Sequence, residues 1–377
     1  MRHRAIWVPA LAETAAMAGL MAAPPPAGAR TASPASARTA VQRTEPVIVR
    51  PTPWRVVYTN RTGRPSLRGI AAVSGTAIWA VGDRPSGPFA AHWNGRHWKT
   101  SPIPHPRGFN PQFISAPSDS DVWVFGVLPS GHTSAVQWDG SSWHTVTLPA
   151  DASDLGVVFS PSDIWLVSDQ SACSASGCVI TILHWNGSHW TRSSVRTGSV
   201  AAIGGTSDGD LWLIGMDNAH SVGDQTQAEM VGFRWTGHAW RAVANMPRIE
   251  VADTPSLTVA SARNVWVSAL RARRRRNGEQ PDLGVHWNGQ RWTVLTAPDN
   301  LADLGPVATD GGRGLWFGPD LHWTGRKWIE EVGRWLPSWA NPFAGVGLSH
   351  VPGTRTVVVA VVSRGGTLIG ANRPLRG

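Results

Sequence analysis

The chain has 377 residues, among them 22 Trp, 40 Gly and 29 Pro, and only 16% are charged. This length supports one large domain or two ordinary ones and excludes disorder as an account of the whole. With 42% hydrophobic residues and no apolar run of about 18 residues after the first few dozen positions, a polytopic membrane protein is excluded as well. The formal charge of +9 is concentrated in two segments: residues 1–50 hold six Arg against Glu13 and Glu45, and Arg271 with Arg273 to Arg276 supply the rest. A general nucleic-acid binder spreads its basic residues along a face that tracks phosphates, so that class is disfavoured. Only Lys99 and Lys327 accompany the arginines, a bias typical of GC-rich genomes that by itself says little about function.

The N-terminus begins Met1-Arg2-His3-Arg4 and continues into a small-residue apolar stretch. This is the order of a secretory signal, with small-x-small cleavage sites after Ala29 or Ala37. Residues 1–37 are therefore read as a signal peptide or Ala/Pro-rich leader, 38–50 as a linker and 51–377 as the folded domain. Pro9 and Glu13 weaken the apolar stretch, and a plain Ala/Pro-rich tail is the alternative. The segment contains no Cys, which argues against a lipid anchor. An exported protein, secreted or held outside the cell envelope, is expected, with no transmembrane segment in the mature chain.

From residue 70 onward one unit recurs: a short apolar strand ending in Trp, a variable loop, then W-x-G-x-x-W. Its Trp triplets are 79/93/98, 123/138/143, 165/185/190, 212/235/240, 266/287/292 and 316/323/328. The spacing of the first Trp in each copy is blade-sized, which predicts a β-propeller. Each copy reads as four strands: a small-residue strand such as 70–74, 112–116 or 200–204, the Trp strand, and a hairpin with Asn-Gly or Asp-Gly at its turn. Matching parity puts both hairpin Trp residues on one face, as a layer to pack on the next blade. In the third copy Cys173 and Cys178 lie in one loop with four residues between them. A local bridge between them, stable only in an oxidising compartment, is expected; two free thiols are the alternative.

The ends complete the count. Trp54 falls in the fourth-strand position of a blade whose other strands are missing there, and residues 345–373 read as three strands without a hairpin Trp pair. Together they predict a seventh blade, closed by the N-terminal strand pairing with the C-terminal three, which removes open sheet edges. On these residues the chain resembles kelch/galactose-oxidase-type seven-bladed propellers, and in particular Trp-rich propeller proteins exported by GC-rich bacteria. The resemblance covers about residues 51–377 and implies an all-β fold. It implies no copper-radical chemistry, since the chain has one Tyr, Tyr58, and two Cys.

Candidate chemistry is sparse. His92, His184, His286 and His322 precede the third-strand Trp, with Gln137 and Arg234 in the other copies; such positions lie around a ring and cannot converge on a metal, so a packing role is expected. Gly205-Thr206-Ser207-Asp208-Gly209 matches a nucleophile-elbow pattern but falls in a strand-to-strand turn, outside the context that motif needs. Asp154, Asp253 and Asp303 begin or precede first strands, which line the channel. They are either turn residues or a polar site at its mouth, where a glycosidase would hold paired carboxylates. Arg271 and Arg273, Arg274, Arg275 and Arg276 could grip an anionic partner or form a solvated loop. Trp335 and Trp339 break the Trp grid on the connection between blades six and seven, and are the Trp residues to consider as a ligand platform. The second-to-third-strand loops of copies three to five, at about 168–181, 215–231 and 268–284, are the longest and mark the expected binding face. The resulting expectation is a monomeric, non-catalytic binding module for a protein or cell-surface polymer, with no cofactor and no metal. The competing class is a polysaccharide hydrolase or lyase, or a lectin, with its site at the channel.

Overall fold

A computed structural model describes residues 47–375 except 175–176, 224, 274–279, 299–305, 341–344 and 364. The second strand of each repeat is an almost uninterrupted apolar run, as in Ala77–Asp83 and Asp121–Val127, and is buried on both faces. Such a strand is stable only with strands on both sides and further layers above and below. The fourth strands, such as Trp98–Pro102, carry polar residues and are largely exposed. Hydrophobicity therefore fixes each strand's depth in its blade.

The blades follow chain order. The first comprises Ser66–Ser74, Ala77–Asp83, Phe89–Trp93 and Trp98–Pro102. The second comprises Asn110–Ser118, Asp121–Val127, Thr133–Trp138 and Trp143–Val146. The third comprises Ala152–Ser160, Asp163–Ser174, Gly177–Trp185 and Trp190–Arg196. The fourth holds Ser199–Gly205, Leu211–Val222, Gln225–Trp235 and Trp240–Ala242, and the fifth Ser256–Ser261, Asn264–Leu270, Asp282–Trp287 and Trp292–Thr296. The sixth is built from Val307–Thr309, Leu315–Phe317, Leu321–Trp323 and Trp328–Val332. Each is an antiparallel sheet in sequence order, and the seven first strands neighbour one another around the ring.

Closure occurs in the seventh blade. Arg55–Asn60 pairs antiparallel with Gly366–Ala371, outside Val357–Ser363 and Gly345–His350, so the outermost strand comes from the N-terminal side of the domain. The seventh and first blades meet through Leu67, Ile70, Val358 and Ile369, and Ala72 N–H donates to Ser349 Oγ at 2.9 Å. One boundary needs correction. Val47–Pro51, which begins within the segment 38–50 read as a linker and crosses its end, is a fifth strand that pairs in parallel with Trp328–Val332. Its three β-branched residues favour an extended chain, and Arg50 Nε donates to the buried Glu331 at 2.7 Å.

The W-x-G-x-x-W turns also differ from expectation in one detail. Trp93 and Trp98 pair directly, which puts Gly95 and Arg96 at the turn centre. Asn94 acts through its side chain, accepting the N–H groups of Arg96 and His97 at 3.1 Å each. Gly95 takes a φ of 91°, where a side chain would be strained. Asp139, Asn186 and Asn288 repeat the arrangement.

These turns hold the Trp pair that the preceding blade packs against. Trp165 lies edge-on to Trp240 of blade four, with centroids 6.1 Å apart, and Trp212 meets Trp292 of blade five at 6.0 Å. Trp79 meets Trp143 of blade two at 6.1 Å, and Trp316 meets Trp54 of blade seven at 5.3 Å. Trp54, only 4% exposed, is thus the seventh member of the fourth-strand series. Trp54→Ala removes this contact and opens a cavity, and should cost about 3–5 kcal/mol. Urea unfolding monitored by far-UV dichroism checks this, and a loss below about 1 kcal/mol would show that closure does not depend on this indole.

Candidate functional site

The repeated histidines are placed by the same packing. His184 stacks on Trp165 at 3.8 Å, His92 on Trp79 at 3.9 Å, His286 on Trp266 at 4.0 Å and His322 on Trp316 at 4.3 Å. An acceptor in the first-to-second-strand turn then receives both rings. Asp163 accepts Trp165 Nε1–H at 2.8 Å and His184 Nε2–H at 3.0 Å; Asn264 does the same for Trp266 and His286, at 2.9 Å each. In blade two Asp121 holds Trp123 at 2.7 Å and Gln137 at 2.8 Å. In blade four Asp210 holds Trp212 at 2.9 Å, and Arg234, which lies over the Trp212 ring, approaches Asp210 at 3.6 Å. A buried indole N–H without an acceptor is costly, so the His, Gln or Arg position is a packing position, as its spacing implied. Asp208 of the elbow-like sequence opens a single turn of 3-10 helix, Asp208–Asp210, and Asp210, just after that sequence, serves this clasp.

In two blades the turn lacks its own acceptor. Ala77 stands where Asp121 stands in the next blade, and Trp79 Nε1 instead donates to Asp119 across the blade boundary at 2.8 Å. His92 Nε2 lies 2.7 Å from the same carboxylate, though off the hydrogen-bonding direction. In blade six Gly314 occupies the position, and Asp310 reaches in to accept His322 Nε2–H at 3.1 Å. Burial pushes Asp310 upward, but the His322 bond and the Gly314 and Gly312 N–H groups outweigh it and hold the carboxyl below its ordinary range.

The ring has two unlike faces. The lower face carries the first-to-second-strand turns and the W-x-G-x-x-W turns. The upper face carries the second-to-third-strand connections and the crossings between blades. A cavity of about 270 Å³ lies in the channel towards the lower face, lined by Gly205, Thr258, Val259, Thr309, Ser349 and His350 among others. None of its described lining residues is a carboxylate. Asp154 is half-buried near the upper start of strand Ala152–Ser160. Asp253 is exposed, and its Oδ1 accepts Leu270 N–H at 2.6 Å, which ties the crossing to the end of a second strand. Asp303 lies outside the described residues.

The long upper connections of copies three and four are continuous hairpins where the sequence suggested loops. In blade three, Asp163–Ser174 and Gly177–Trp185 stay paired to the tip, and Cys173 and Cys178 sit directly opposite and are joined by a disulfide. In blade four, Leu211–Val222 pairs with Gln225–Trp235, and Ile249–Val251 adds itself to the same hairpin. That short strand, which sequence reasoning missed, also stitches blade four to blade five: Ala272 N–H donates to Glu250 O at 2.9 Å. Gln225 and Gln280 exchange amide hydrogen bonds at 3.2 and 3.1 Å across the same junction. The arginine insert therefore starts from a held base. Arg271 is half-buried and its N–H donates to Pro281 O, and Arg273 is exposed. Arg274, Arg275 and Arg276 lie outside the described residues.

A further ion pair unread in the sequence sits at the start of blade three. Arg192 grips Asp151 with two bonds, at 2.6 and 2.9 Å, and Ser168 adds a third. The Arg192 bond, aided by Ser168, lowers the Asp151 carboxyl to about 2. Trp335 and Trp339 are both half-buried against the seventh blade. Trp335 lies so close to Gly370 that a Cβ there would overlap it, and its ring is 5.7 Å from that of Trp54. Trp339 lies beneath the Arg61 guanidinium, at 5.3 Å.

No protein-family model matches the chain, and no curated protein matches it. Solved structures do resemble it. A catalytically inactive variant of virginiamycin B lyase from Staphylococcus aureus, solved with quinupristin, aligns with a TM-score of 0.53 at 14% identity, covering 84% of this chain and 98% of that one. YCF48 from Cyanidioschyzon merolae aligns at 0.49 with 15% identity over 84% of this chain and 98% of its own. Aleuria aurantia lectin aligns at 0.44 with 14% identity over 82% and 92%. At these identities the likeness to the lyase shows a shared fold and nothing of the chemistry.

Two outcomes follow from this geometry. Burial lowers His286 from 6.5 to about 4, so as pH falls the unfolded chain binds this proton first. The stability tied to neutral His286 is complete above about 6.5 and is lost between about 6.5 and 4. His286→Gln, the residue type that blade two uses at Gln137, should flatten that part of the stability-pH curve and keep neutral-pH stability within about 1 kcal/mol. An unchanged slope would remove His286 as its source. Separately, Cys173→Ser with Cys178→Ser should cost at most about 2–3 kcal/mol, because the closed loop is short. Limited proteolysis should nevertheless cut the tip of this hairpin faster than in the parent; equal cutting rates would show that the bridge does not hold the tip.

Proposed function

We propose that the protein is an exported, monomeric, non-catalytic propeller with a kelch-like repeat, whose upper face binds a protein or a cell-surface polymer. The observation that carries this reading is that the inserts of blades three and four both leave their sheets on that face as paired strands. One is clamped by the disulfide and the other by Ile249–Val251. Hairpins already held in shape do not have to be ordered when a partner arrives, which favours affinity. The lower face is occupied by turns that serve the repeat itself, so variation is free to accumulate above. Arg271 and Arg273, at the base of the insert beside the blade-four hairpin, extend the same surface. Asp154 and Asp253 lie towards the same face, and Trp335 and Trp339 belong to one of its crossings. The disulfide supports export, since such bridges persist in oxidising compartments. No helix among the described residues is long and apolar enough to cross a membrane.

The test is to replace Ala172 to Val179 with Asn-Gly, so that the Ser171–Ile180 pair closes a shortened blade-three hairpin and Ile180 stays in the core, and to measure binding of the labelled protein to intact cells of its source. The shortened chain should keep its melting temperature within a few degrees, because the blade core lies below the cut, and should lose most of its cell binding. Undiminished binding would move the site elsewhere. Release of sugar fragments from a polysaccharide panel by the parent protein would overturn the non-catalytic reading.

A further inference from the structure

The global charge balance hides a strong local one. Three neighbouring stretches of the upper face, at the junction of blades seven, one and two, contain Arg61, Arg64, Arg68, Arg84 and Arg107 against a single acid, Asp83. Asp83 is already paired with Arg68 at 2.9 Å. The stretches touch. A Cβ on Gly63 would lie 3.9 Å from Arg84 Cδ, and one on Gly87 would lie 2.9 Å from His105 Cε1, which places residues 61–64, 84–87 and 105–107 side by side. Across the ring, around blades three and four, the same face mixes Asp154, Asp169, Asp217, Glu229, Glu250 and Asp253 with Arg196, Arg248, Arg271 and Arg273.

The arginines are presented rather than neutralised. Arg61, Arg64 and Arg107 are exposed. Arg61 is held over Trp339, with Cζ 5.3 Å from the ring centroid, and by its Nε–H bond to Gly365 O at 3.3 Å. Arg64 sits in a turn at φ 51°, a conformation that a non-glycine residue adopts only under constraint. Arg84 lies beside the Phe89 ring, and its Nε–H is buried without a protein acceptor. A set of exposed guanidinium groups with one carboxylate, Asp83, among them suits an anion with several planar or tetrahedral oxygen groups.

The surroundings select the class of anion. The exposed large apolar side chains among the described residues are Val47, Ile48, Val49, Val222 and Val332, none of them in this sector. A protein partner needs an apolar centre to its interface, which is missing here. The aromatic rings of the sector offer no stacking platform for single-stranded nucleic acid, because Phe89 and Phe109 are buried and Trp339 is covered by Arg61. We propose that this arginine sector binds an acidic polysaccharide, through its carboxylate or sulfate groups. The proposal rests on the reading of the upper face as the binding face and assigns one sector of it a partner class.

The experiment uses the full chain and four probes: polygalacturonate for carboxylate, dextran sulfate for sulfate, neutral dextran, and a short DNA duplex, each titrated over a salt series. The parent should bind at least one acidic polysaccharide and not dextran. Arg61→Gln with Arg64→Gln and Arg107→Gln should weaken that binding at least about tenfold at about 50 mM salt and flatten its salt dependence, with an unchanged melting temperature. Arg263→Gln with Arg291→Gln and Arg313→Gln makes the same charge change among exposed residues of the lower face, and should weaken binding less than about twofold. Equal losses in the two triple variants, or DNA bound as tightly as the polysaccharides, would overturn the proposal. If the first triple variant binds cells as the parent does while the hairpin-shortened chain does not, the binding face stands and the polysaccharide falls.

Discussion

The contact on which this structure depends is the one between a buried second-strand indole and the fourth-strand indole of the next blade. A single four-stranded sheet cannot bury its own apolar faces; it becomes stable only when each face finds a neighbour. Trp supplies the largest area for that purpose, and the edge-on geometry seen for Trp165 with Trp240 and Trp316 with Trp54 adds to it. Burying indole also buries an N–H. The Asp or Asn of the first-to-second-strand turn meets it, and the stacked His, Gln or Arg shares that acceptor, so one turn residue satisfies two rings.

The departures from the repeat show how the stacked second-strand clasp keeps an acceptor, while the fourth-strand indoles of Trp54, Trp98 and Trp292 bury an Nε1–H without a protein partner. Where Ala77 replaces the turn acid, Asp119 of the next blade substitutes, and where Gly314 replaces it, Asp310 does so for His322. At the seventh position Val358 takes the place of the indole. That boundary is filled by aliphatic residues and by Tyr58, which packs on Trp98 at 5.3 Å and bonds Thr100 at 2.9 Å. The weakest link of the Trp series thus coincides with the blade assembled from both ends of the domain.

The two faces divide the remaining work. The lower turns are committed to orienting Trp pairs and accepting indole N–H groups, which leaves them little room to vary. The upper connections serve no such purpose, and there the chain places its long hairpins, its disulfide, the stitching strand Ile249–Val251 and the arginine sector at the junction of blades seven, one and two. Asp151, held by Arg192 and Ser168, shows that even on this face some carboxylates are structural. Charge alone therefore does not identify a site.

The amino-acid sequence by itself determined the all-β class, the blade count and the closure by Trp54 and its strand, and it placed Cys173 and Cys178 close enough to bridge. These follow from local periodicity, from the parity of the Trp residues across a four-residue turn, and from short chain separations, all of which a single strand of text records. Tertiary structure alone decided the rest. Val47–Pro51 and Ile249–Val251 lie outside the repeat, and each finds an edge only because the ring brings one close; Arg50 and Glu331 are 281 residues apart. The inserts read as loops became hairpins because their flanking strands were already paired in the blade, and zipping onward satisfies backbone groups that a loop would leave to water. The arginine sector was invisible because its residues come from three connections that become neighbours only when adjacent blades bring them to one junction on one face. Electrostatic potential depends on distance in space, and for these residues the fold sets that distance.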